Sequence, residues 1–125
     1  MERLINHLKK LKQALKTLDE SLSKFSQRFE YSIDLFWKTL KDYLEITKGL
    51  TTVASPKPLF RIAFDAEIIS EEEYTLCLNM IEDRNLTSHA YNAEIAEEIA
   101  AHLHNYSKIM HTIVYRIEHE SKVIL

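Results

Sequence analysis

Arg84, His89 and Tyr91 fall within the segment Asp83-Arg84-Asn85-Leu86-Thr87-Ser88-His89-Ala90-Tyr91-Asn92. It is the one stretch of the 125-residue chain where a guanidinium, an imidazole and a phenol crowd together among residues with turn chemistry. A histidine that titrates near neutrality can take the proton from a ribose 2′-hydroxyl. A guanidinium can grip phosphate oxygens bidentately and stabilise the charge that builds as a phosphodiester is attacked, and neither role needs a metal. With Arg84, the hydroxyls of Thr87 and Ser88 complete a candidate nucleotide- or RNA-binding set. The plainer reading is structural: Arg84 pairs with Asp83 or a helix end, His89 satisfies a turn, and Tyr91 is half-buried.

These residues need elements to hold them, and the apolar spacing supplies helices. Leu4, Leu8, Leu11, Leu15, Leu18, Leu22 and Phe25 alternate steps of four and three, which predicts a first helix from about Glu2 to Leu22 with one narrow apolar seam. Lys9, Lys10, Lys12 and Lys16 on its other faces read as a solvated surface. A second helix is expected from about Lys24 to Lys48, carrying Phe29, Ile33, Phe36, Trp37, Leu40 and Leu44 and stopped by Gly49. Ser55-Pro56-Lys57-Pro58 disfavours helix at Ser55 and Lys57, so a short third helix is expected from Leu59 to about Ala66. Ser70-Glu71-Glu72-Glu73 is a capping box that opens a fourth helix, whose acidic first turn suits the helix dipole. The fourth helix must end between Asp83 and His89, and Asn92 can cap a fifth from Ala93 to about Lys122.

If the fourth helix continued to His89, its five-residue separation from Arg84 would set the two side chains about 140° apart around the axis. A site made from both is then better built by two copies facing each other across a two-fold axis. Phe36-Trp37 and the thin, alanine-rich start of the fifth helix (Ala93, Ala96, Ala100, Ala101) are candidates for bringing a second copy into place.

Composition sets the frame. One glycine and two prolines in the chain are too few turn signals for an all-β fold and favour a single all-α domain of long helices joined by few breaks. The lone Cys77 allows no intrachain disulfide and has no activating neighbour in sequence, so it reads as a small core residue. No two of His102, His104, His111 and His119 are three or four residues apart, so no metal site is expected, and no cofactor. The absence of an apolar signal core or a run of about 20 apolar residues points to a cytoplasmic chain with no membrane partner. Charge is lopsided: residues 1–28 carry seven basic and three acidic side chains, and residues 65–98 carry ten acidic ones against Arg84 alone. A polyanion would be drawn to the first region and repelled from the second.

Arg84-Asn85-Leu86-Thr87-Ser88-His89-Ala90-Tyr91 matches the Arg-(four residues)-His-(one residue)-Tyr motif of the HEPN superfamily. Taken with the segment Phe29 to Lys41, with Ser55-Pro56-Lys57 and with Phe60 to Phe64, it resembles the bacterial nucleotidyltransferase substrate-binding subunit family over about residues 25–105. Glu67 departs from that pattern, standing where a glycine is expected before Ile68-Ile69. The resemblance implies an all-α, up-down four-helix-type bundle with one short extra helix, forming a homodimer and working beside a separately encoded small nucleotidyltransferase. In HepT-type relatives the pair forms a toxin–antitoxin module, which implies here a ribonuclease with His89 as base, Arg84 as phosphate ligand, Asn85 as polar helper and Tyr91 as the residue adenylylated by the partner. The family's other implication is a non-catalytic nucleotide- or substrate-binding subunit.

Overall fold

The computed structural model describes residues 1–20, 25–50, 53–89 and 92–121, with the side chains of 16–20, 25–26 and 121 set aside. Tyr91 and the side chains of Leu18, Leu22 and Phe25 therefore lie outside the described residues. Five α-helices follow in order: α1 (Glu2–Glu20), α2 (Phe25–Thr47), α3 (Pro56–Asp65), α4 (Glu71–Leu86) and α5 (Ala93–Ser121), with a 3₁₀ turn, Thr87–His89, after α4.

Their relative directions can be read from the pairs that join them. Arg3 and His7 near the start of α1 meet Asp42 late in α2, and α1 packs chiefly on α2, so these two are antiparallel. Asp34 and Glu30 on α2 meet Arg84 and Thr87 in reversed order, and Glu73 and Asp83 on α4 meet Arg116 and Tyr106 in reversed order. Phe29 and Tyr43 meet Tyr106 and Glu120 in the same order, so α2 and α5 are parallel. The bundle is up-down-up-down, all-α as the spacing predicts, with α3 bridging α2 and α4. The seams fill it: Leu4, Leu8, Leu11 and Leu15, Phe29, Ile33, Phe36, Leu40 and Leu44, and Ile99, Leu103, Met110, Ile113 and Ile117 are all buried. No helix of the described residues is long and apolar enough to cross a membrane.

Local chemistry explains the boundaries. The α4 capping box forms in both directions, Glu73 N–H to Ser70 Oγ at 3.1 Å and Ser70 N–H to Glu73 Oε1 at 2.8 Å. Asn92 Oδ1 accepts from Glu94 N–H at 3.0 Å and so caps α5. Gly49, at φ +67°, stops α2 in a backbone conformation open to glycine. The prolines behave differently from expectation: α3 begins at Pro56 rather than Leu59, because the first-turn N–H groups that proline lacks would have no helical partner anyway. Leu59 N–H closes that first turn on Ser55 C=O at 3.2 Å.

Glu67 is the strained point. It sits at φ +61°, the left-handed residue of a Schellman ending in which Glu67 N–H bonds Phe64 C=O and Ile68 N–H bonds Ala63 C=O, both at 3.0 Å. The departure from glycine noted in the sequence thus falls on a backbone conformation that disfavours a Cβ. Glu67→Gly is expected to stabilise the chain by about 0.5–1 kcal/mol, read as a raised thermal midpoint; no change would mean that neighbouring contacts already relieve the strain.

Candidate functional site

The last turn of α4 and the 3₁₀ turn carry the Arg–His motif, and α2 lies alongside. Arg84 does not pair with Asp83. Its Nε and Nη2 form a fork on Asp34 of α2, at 3.2 Å to Oδ1 and 3.1 Å to Oδ2. The Asp34 hydrogen bonds, with added pull from Asp34 and Glu30 charge, hold the guanidinium proton above its already high ordinary value. Two of its five N–H donors are thereby engaged, and with the two side chains 33% and 36% exposed, one flank of the pair still faces solvent.

Thr87 is buried, and its hydroxyl lies within bonding distance of both Glu30 Oε1 and the Arg84 carbonyl oxygen, so it is occupied inside the fold. Ser88 Oγ lies 3.4 Å from the Asn85 carbonyl oxygen at the exposed end of the turn. Asn85 and His89 are exposed. The site residues therefore divide into an anchored group facing α2 (Arg84, Thr87) and a solvent-facing group (Asn85, Ser88, His89).

A second cluster lies one residue away. Asp83, which sequence reasoning treats only as a neighbour of Arg84, is buried against α5, where its Oδ2 accepts from Tyr106 Oη at 2.6 Å and contacts His102 Nδ1 at 2.7 Å. Burial first, and the bond to Asp83 second, push the Tyr106 phenol well above its ordinary range, so it stays protonated and donates. A carboxylate facing Nδ1 favours the proton on that nitrogen and leaves Nε2 of neutral His102 as an acceptor. Asn79 and Asn105 add amide groups to the same polar recess of about 240 Å³. The visible signal was His102 and Tyr106 four residues apart on α5, a single helical face; weighing the histidines only against one another hides it.

Elsewhere the chemistry is quiet. Cys77 is buried, and burial foremost, with Glu73 charge behind it, raises its thiol to about 12, so it is no nucleophile. Among the described residues no group of three or more His, Cys, Asp or Glu side chains is arranged to hold a metal ion.

Comparison with known proteins concerns the chain as a whole. The family described as "Nucleotidyltransferase substrate binding protein like" matches residues 1–119. A crystal structure of a protein from Thermus thermophilus superposes with a TM-score of 0.80 at 37% identity, covering 86% of this chain and 98% of the other. No curated protein matches.

Proposed function

We propose a function from the premise that this chain belongs to the nucleotidyltransferase substrate binding protein-like family: it is a non-catalytic subunit that holds a nucleotide or other substrate for a separately encoded small nucleotidyltransferase. The observation that favours this over a nuclease is the Arg84–Asp34 fork. A guanidinium meant to meet an RNA phosphate would have to share its charge with a carboxylate that already engages Nε and Nη2, with Glu30 close behind. The ten acidic side chains in residues 65–98 oppose a polyanion further. A binding subunit needs no uncommitted transition-state cation at that point. The expected result is copurification with a coexpressed small nucleotidyltransferase and intact RNA after incubation in EDTA. RNA cleavage that vanishes in Arg84→Ala or His89→Ala would overturn this reading.

That contrary outcome is the second reading, a homodimeric HEPN ribonuclease of a toxin–antitoxin module. The solvent-facing His89 and Asn85 favour it, together with Ala93, Ala100 and Ala101, which leave the start of α5 thin and exposed for a second copy. His89 would then be the base, Arg84 the phosphate ligand and Asn85 a polar helper. Adenylylation of Tyr91 by the transferase would be the off switch, since a phosphate ester two residues from His89 repels an RNA phosphate. Intact-mass measurement of the coexpressed chain reads that modification directly.

A further inference from the structure

Between α1 and α2, at the opposite charge extreme from the motif, lies a cleft of about 410 Å³. It exists because Ala14 and Ser32 are small where the two helices cross, while larger side chains close the seam on either side. Lys9, Lys10 and Arg28 stand around it with Gln13 and Tyr31, and its wall is mostly apolar. Lys9 and Lys10, which the sequence reads as a solvated face, have no ion-pair partner among the described residues. Tyr31 is 53% exposed, a large ring left on the surface. Ser32, fully buried against the cleft, has a hydroxyl with no hydrogen-bond partner among the described residues. Such a group destabilises an unliganded chain and calls for a partner.

An apolar recess of this volume with a few convergent polar groups is the usual form of a small-ligand site. Its charge selects an anion, its ring selects a planar group, and its size suits a single nucleotide better than a strand. We propose that the α1–α2 cleft binds a nucleoside polyphosphate, the base against Tyr31 and the apolar wall, the phosphates between Lys9, Lys10 and Arg28, and the Ser32 hydroxyl bonded at the floor. The proposal rests on the substrate-binding reading and gives that ligand a place other than the Arg84 motif, beside the strongly basic first 28 residues, with seven basic side chains against three acidic.

The test is binding of a fluorescent ATP analogue, with unlabelled ATP as competitor, to the full chain. Wild type is expected to bind with an affinity that falls as salt is raised. Tyr31→Ala and the double variant Lys9→Gln/Lys10→Gln should each weaken binding about tenfold or more, whereas Lys108→Gln on α5 should not. Ser32→Ala should raise the melting temperature of the unliganded chain and also weaken ATP binding; a merely structural hydroxyl would move only the first. Binding lost in Arg84→Ala and untouched by the cleft variants would transfer the ligand to the motif and overturn the cleft assignment, with the substrate-binding reading left standing. A chain that copurifies with a transferase but binds no ATP overturns the cleft alone. Loss of the transferase, rather than of ATP, in Lys9→Gln/Lys10→Gln would make the cleft a protein contact and likewise overturn it. Metal-independent RNA cleavage overturns the reading beneath.

Discussion

Asp83→Ala is expected to destabilise the chain by about 2–3 kcal/mol and to lower its melting temperature by roughly 10 °C. The variant removes the acceptor of two hydrogen bonds and leaves the Tyr106 hydroxyl, in a residue only 3% exposed, without its partner. Tyr106→Phe removes the donor and leaves the carboxylate with His102, so the two single variants share one interaction. Their double mutant should therefore lose less than the sum, with a coupling of about 1–2 kcal/mol. The phenol adds a pH signature. Its proton is held more tightly in the folded chain than in the unfolded one, so stability is complete below about pH 10 and declines as pH rises beyond the unfolded value. Tyr106→Phe should flatten part of that alkaline decline, the remainder including Tyr43, whose hydroxyl is similarly buried and bonded to Glu120. Strict additivity in the cycle would refute the shared bond.

The helices were legible because the information is local. Steps of four and three show the seams, Ser70 and Glu73 show a capping box three residues long, and Asn92 lies two residues from the N–H it accepts. The start of α3 was misplaced by the rule for residues before proline, a bias that the undemanding first helical turn overrode at Lys57. The site was legible only on one side. Arg84, Asn85, Ser88 and His89 stand out by type, yet what Arg84 does depends on Asp34, fifty residues earlier, and what Asp83 does depends on Tyr106, twenty-three residues later. Either acid could have been a surface charge, since nothing in its own neighbourhood names the helix that will lie opposite. The basic face of α1 is solvated as its pattern suggests, Lys9, Lys10 and Lys12 all being exposed, but the cleft beside it could not be read from α1 alone. Lys9 and Lys10 line a cleft only because α2 brings Arg28, Tyr31 and a small Ser32 across from Ala14.

Glu73→Gln is the sharper probe of how α4 is held, because it keeps an oxygen for the capping box while removing the charge. In the wild type, Glu73 accepts Arg116 Nη1 at 2.8 Å and Nη2 at 2.9 Å, and Arg116 Nη1 also donates to the Ile68 carbonyl at 2.9 Å. One guanidinium on α5 thus ties together the end of the α3 turn and the first turn of α4. The Arg116 hydrogen bonds foremost, reinforced by Ser70 N–H and opposed by burial, hold the Glu73 carboxyl below its ordinary value. A lowered folded value means that the contribution is complete above the unfolded carboxyl value of about 4.3 and is lost as pH falls through the folded one. Glu73→Gln is therefore expected to be less stable than wild type by about 2 kcal/mol at pH 7, with the gap closing in urea melts carried below about pH 4; a gap that stays constant would mean that the charge is not what matters. Glu73 and Asp83 clamp α4 to α5 at points ten residues, or about 15 Å, apart. Glu73→Gln and Asp83→Ala should then add to within about 0.5 kcal/mol, and a large departure would show that the two clamps set a single helix register, so that loss of the first already loosens the turn that carries Arg84 and His89.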